Sequence, residues 1–143
     1  MGEGNFSYAL ARARLFVSIP DKNQTLHLVA TSFDSEIELA AKYPECQGIL
    51  NKLIALAKEN NNSLQVNVGH RVDATKIKET LPPIIDHSLP FDEITFCHPH
   101  IGSEDLRRNS SLLAHFLHSA KSLNPKIIQF TLLDGQFNRW QVN

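Results

Sequence analysis

The chain has 143 residues, 42% of them hydrophobic and 20% charged, which fits one globular domain and excludes a disordered or fibrous protein. Fourteen Lys and Arg stand against fifteen Asp and Glu, a formal charge of -1, so no general attraction to nucleic acid exists beyond what a local basic patch supplies. Two cysteines, Cys46 and Cys97, make no disulfide framework and point to a reducing compartment; no apolar run reaches the roughly 20 residues of a membrane span.

Along the chain the pattern alternates. Residues 5–17 place Phe6, Ala9, Leu10 and Ala13 at helical spacing. Pro20 to Asn23 form a turn, and "TLHLVATSF" (25–33) reads as a buried strand ending at Asp34. Asp34 or Ser35 caps a helix over "SEIELAAKY", which Pro44 interrupts, and residues 48–60 form a second helix with a broad apolar face. "SLQVNVG" (63–69) alternates like a strand. A short helix after "VDAT" and a Pro82-Pro83 loop follow. "FDEITFCHPHIG" (91–102) is a strand and a loop. The longest helix covers 103–123, with Ser103 as its cap and Glu104 and Asp105 in its first turn. Asn124-Pro125 stops it before a last strand at 126–133. Strands alternating with helices predict an α/β fold whose parallel sheet is covered on both faces.

Ligands of open α/β sheets lie outside the carboxyl ends of the strands. Four polar stretches fall there. Gly2-Glu3-Gly4 opens the first helix, where glycine allows close approach of a ligand and the helix offers free N–H groups; the stretch lacks the third glycine of a dinucleotide fingerprint and serves equally as a turn. Asp34 can hold a ribose diol or cap a helix. Asp73 carries the same pair of readings. Cys97-His98-Pro99-His100 lacks the ligand spacing of a metal centre, so no metal is expected. The other histidines, His70 among them, read as surface or satisfied positions. No nucleophile elbow and no phosphate-cradling loop is present.

Taken together, "GEGNFSYALA", "LVATSFDSEIELAAKYP", "VGHRVDATK" (where the family reads Gly-Val-Asp-Ala-Thr-Lys and the glycine is displaced), "FDEITFCHPHIG" and "RRNSSLLAHFLHSA" resemble the Rossmann-like domain of the 25S ribosomal RNA uridine-N3 methyltransferases, which also occurs in ferredoxin-fold anticodon-binding-domain proteins. The resemblance runs over nearly the whole chain in order. It implies a class I methyltransferase fold using S-adenosylmethionine. Gly2, Glu3, Gly4, Asn5 and Phe6 would lie beside the methionine part of the cofactor, Asp34 at the ribose, and Asp73 with Ala74 near the adenine. It implies an RNA substrate facing His98, Pro99 and His100, either histidine serving as the base that frees uracil N3, and a nuclear or nucleolar location; without it the chain reads as cytoplasmic.

Two departures stand out. The family's Asn-Phe-Pro-His loop is Cys97-His98-Pro99-His100 here, exchanging an amide for a poor hydrogen-bonding thiol and a phenyl for a titratable ring. The family's first strand, central in the class I order and flanked by the Asp34 strand and the "FDEITF" strand, precedes "GEGNFS" and has no residues here. The strands beside it then either pair directly or leave open edges. The family's last antiparallel pair is also missing after the Trp140 stretch. Three accounts follow: an incomplete copy of an active enzyme, a degenerate module that binds without catalysing, or a partner chain that supplies the strand. A metal-dependent enzyme built on His98 and His100 is the remote third function.

Overall fold

The computed structural model describes residues 4–19, 23–85 and 90–140. Two compact units divide the chain. One spans Glu3–Arg71; the other comprises Val72–Asn143 with Met1–Gly2.

In the first unit the elements run α1 (Ser7–Ser18), β1 (Leu26–Thr31), α2 (Glu36–Lys42), α3 (Cys46–Glu59) and β2 (Leu64–Gly69). β1 and β2 pair in parallel, with Leu26 opposite Leu64 and Thr31 opposite Gly69. A parallel pair needs a crossover, and α2 with α3 supplies it. Helix α1 packs on α3 and β1, burying Ala9, Leu10 and Ala13; the small side chains allow a close approach. Leu39, Leu53 and Leu64 are essentially sealed from water, each contributing about 2 kcal/mol by burial.

Ser35 rather than Asp34 caps α2. Its hydroxyl accepts from Glu38 N–H, and the Glu38 carboxylate takes both the Ser35 N–H (2.8 Å) and the Ser35 hydroxyl (2.7 Å), a full capping box. The expected Pro20–Asn23 turn falls largely on 20–22, outside the described residues. Helix α3 begins at Cys46, two residues before the apolar periodicity becomes legible.

The second unit holds α4 (Ile77–Thr80), β3 (Glu93–Cys97), α5 (Leu106–Lys121), β4 (Ile127–Thr131) and α6 (Gln136–Arg139). β3 and β4 are again parallel, Glu93 opposite Ile127 and Cys97 opposite Thr131. Helix α5 buries Asn109, Leu113, Phe116 and Ala120, a stripe at i, i+4, i+7 and i+11. Phe116 meets Phe96 of β3 edge-on, ring centres 4.9 Å apart. Its cap is Asp105, whose carboxylate accepts from Arg108 N–H; Ser103 and Glu104 stay outside the helix, because the chain first has to complete the loop leaving β3. The turn at Gly135 (φ 77) leads into α6, which alternation of strands and helices did not predict.

The fold is therefore α/β with short parallel strands, but the described strands form two two-stranded sheets, β1-β2 and β3-β4, instead of one. Both cysteines are buried and neither is in a disulfide. Among the described residues no helix is long and apolar enough to cross a membrane.

The capping box has a pH signature. The two Ser35 hydrogen bonds hold the Glu38 carboxyl below its ordinary value, so its contribution is present above the ordinary carboxylate range and is lost as pH falls through the lowered one. Urea unfolding should show Ser35→Ala less stable by about 1 kcal/mol at neutral pH. The stability gap between the protein and Glu38→Gln should shrink steadily as pH drops below the ordinary carboxylate range.

Candidate functional site

Gly2 and Glu3 lie outside the described residues. The described part of this stretch starts at Gly4. A Cβ there would sit 2.9 Å from the ring and hydroxyl of Tyr43, so any larger residue would push the outer end of that side chain aside. Asn5 turns the chain into α1: its carbonyl oxygen accepts from Ser7 N–H (3.1 Å) and its amide donates to Glu45 (2.9 Å). Phe6 takes the left-handed conformation (φ 62, ψ 16), fully buried, and its carbonyl accepts from Leu10 N–H.

At the end of β1, Ser32 is buried and Asp34 half-buried. One Asp34 carboxylate oxygen lies 2.6 Å from Lys42 Nζ. That bond, foremost, raises the Lys42 pKa above the ordinary lysine value. The other oxygen has no partner among the described residues. At the end of β2, His70 packs edge-on against Phe6 with ring centres 5.8 Å apart, and its Nδ1 lies 2.8 Å from the Ser32 hydroxyl. The first unit thus brings Phe6 and the Ser32–Asp34 loop together at one histidine at the carboxyl ends of its strands.

Asp73 and Ala74 belong to the second unit. Asp73 does not cap α4, whose N-cap is Lys76. One of its carboxylate oxygens accepts from both the N–H (2.8 Å) and the hydroxyl (2.7 Å) of Thr75, an Asx turn. Ala74 is buried.

In the loop after β3, His98 is left-handed (φ 49) and exposed, and its N–H donates to both Thr131 oxygens, the carbonyl and the hydroxyl. No described residue bonds its ring. Pro99 is fully buried and anchors the loop. His100 is different. Its Nδ1 accepts from Gly102 N–H at 2.9 Å, which leaves the ring proton on Nε2, 3.5 Å from Glu104. Arg139 lies 3.8 Å from the same carboxylate, and the indole of Trp140 tilts over the ring, centres 6.1 Å apart. The buried Asn109 of α5 clamps this loop by accepting from Ile101 N–H and donating to the Ser103 carbonyl. Of the basic side chains in the second unit, Arg107 and Arg108 are exposed on α5, while Lys126 is paired with Asp92 at 2.6 Å. Among the described residues no group of three or more His, Cys, Asp or Glu side chains could hold a metal.

Over residues 1–143 the sequence matches the family described as BMT5-like, rRNA (uridine-N3-)-methyltransferase BTM5-like. The chain belongs to this family. The uncharacterized protein At4g26485 of Arabidopsis thaliana is 32% identical over 138 residues, 86% of this chain and 55% of that protein. The chain thus spans little more than half the length of the relative it matches. No solved structure matches it.

Within the BMT5-like frame, one departure gains a physical meaning. The residue before "VDATK" is glycine in the family motif and Arg71 here, and Arg71 is left-handed at φ 59. A glycine, which the resemblance sets before "VDATK", would adopt this left-handed conformation without strain. Sequence reading missed His70, Ser32, Lys42 and Asn109. Only the period-2 pattern of β2, which ends beside His70, hinted at any of them. Arg71→Gly should raise stability by about 1 kcal/mol in urea unfolding, by relieving left-handed strain; Arg71→Ala should bring no comparable gain.

Proposed function

We propose that this chain is the Rossmann-like, S-adenosylmethionine-binding part of an rRNA uridine-N3 methyltransferase. The pairing of the strands carries the reading: β1-β2 and β3-β4 are the two pairs that flank the central first strand in the class I order, and each pair is parallel.

The residues of the first unit suit the cofactor. The Gly4–Phe6 loop, with the Tyr43 ring packed against Gly4, is the one the resemblance sets beside the methionine part of the cofactor. Asp34 keeps one carboxylate oxygen without a partner for a ribose hydroxyl, and Lys42 orients the other. When bound, the cofactor supplies an electrophilic methyl group on its sulfonium. Asp73 and Ala74, with the same role at the adenine as the resemblance gives them, belong to this proposal too.

For methylation at uracil N3 the protein has to take the N3 proton. His98 suits that task better than His100. Its ring has no described partner, whereas accepting a proton at His100 Nδ1 would break the bond from Gly102. Pro99 holds the loop, and Arg107 with Arg108 offers charge to an RNA backbone. Work on ribosomal RNA places the protein in the nucleus or nucleolus.

A second reading, a binding module without catalysis, is favoured by the loop after β3, where Cys97 and His98 stand in place of the Asn and Phe of the family's Asn-Phe-Pro-His loop. Calorimetry of the full-length protein with S-adenosylmethionine should show binding that weakens at least about tenfold in Asp34→Asn. No heat of binding would refute the cofactor reading. In methyl-transfer assays on uridine-containing RNA, His98→Asn, which tolerates the left-handed backbone, should lower the rate about 100-fold or more without loss of stability. His100→Ala should cost less. Retained cofactor binding with no transfer to any rRNA fragment would select the non-catalytic module.

A further inference from the structure

The Ser32 hydroxyl has one proton and two neighbours at the same distance, the Asp34 carbonyl oxygen and His70 Nδ1, each at 2.8 Å. A carbonyl can only accept. Nδ1 can accept or donate, according to the tautomer. If the hydroxyl proton went to Nδ1, two bare oxygens would face one another at 2.8 Å inside a site where Ser32 is only 1% exposed. The arrangement is satisfied in one way. His70 Nδ1–H donates to Ser32 Oγ, and Ser32 O–H donates to the Asp34 carbonyl, which also takes the Arg71 N–H at 3.3 Å.

The other side of the same ring meets Phe6 at an interplanar angle of 81°. Phe6 is held in a conformation that only glycine adopts freely, so something has to over-determine it. Its burial and the His70 edge do so. We infer that His70 is a positioning residue: an Nδ1–H imidazole that latches the glycine loop through Phe6 and the acidic loop through Ser32, setting the distance between the two. As a device for ligand binding this rests on the cofactor reading above; as a latch it does not.

The test uses the full-length protein labelled at histidine with nitrogen-15. Above neutral pH, His70 should show a pyrrole-type Nδ1 and a pyridine-type Nε2; the reverse would overturn the assignment. Amide exchange then reads the latch. His70→Ala should accelerate Leu10, Ser32 and Arg71 about tenfold while leaving Leu53 in α3 unchanged. His70→Asn, whose amide can take the place of Nδ1, should restore Ser32 and Arg71 but not Leu10, since it lacks the ring edge. Unchanged exchange at all three, or equal acceleration throughout the unit, refutes the latch. The loss of S-adenosylmethionine affinity in His70→Ala, about tenfold and recovered in part by Asn, carries the link to the ligand. If the unaltered protein binds no cofactor, the function reading falls, and the exchange pattern alone decides the latch.

Discussion

Two strands that run parallel end side by side, and the segments leaving them have to share one small volume. In the first unit this constraint organises the rest. β1 and β2 stop in register at Thr31 and Gly69, so Ser32–Asp34 and His70–Arg71 emerge as neighbours although nearly forty residues of chain lie between them. Helix α1, packed on β1 and α3, brings its own start to the same end. The polar groups there cannot all be solvated, and they satisfy one another: serine to carbonyl, imidazole to serine, carboxylate to lysine.

The strained backbone follows the same logic. Among the described residues, Phe6, Arg71 and His98 are three of the four left-handed residues that are not glycine, and each lies in a stretch that the family resemblance associates with ligand or substrate. The cost is on the order of 1 kcal/mol apiece. Each is secured by something specific: burial for Phe6, a bond from its N–H to the Asp34 carbonyl for Arg71, and a two-oxygen acceptor on Thr131 for His98. Such positions hold when the surroundings decide the conformation and the side chain does not.

Much of this was legible in the sequence, for physical reasons. Long periodic segments such as α3 and α5 announce themselves because a helix has to bury one stripe, and β2 because alternation marks a half-buried strand. Asp34 could be singled out as the polar end of a strand. What it touches could not, since Lys42 lies eight residues on and only the turn of α2 brings it back. His70 read as an ordinary satisfied histidine, and it is satisfied; its partners, Phe6 and Ser32, are 64 and 38 residues away and depend on strand pairing. Ser103 looked like the better cap on pattern alone, but the loop held by Asn109 consumes it and leaves Asp105 to start the helix. The division into two sheets is one of the two outcomes the sequence left open, strands that pair directly or strands with open edges, and alternation alone could not choose between them.

Trp140 is the chain's single tryptophan, buried and tilted over the imidazole of His100. Its carbonyl is fixed by the Ser110 hydroxyl, so the indole cannot easily drift from that place. Indole emission is sensitive to a nearby imidazole and to its charge. The protein therefore carries a built-in optical probe on the loop next to its exposed histidine, with no competing tryptophan background. Whatever docks on that loop, or shifts it, changes the colour or brightness of one defined fluorophore.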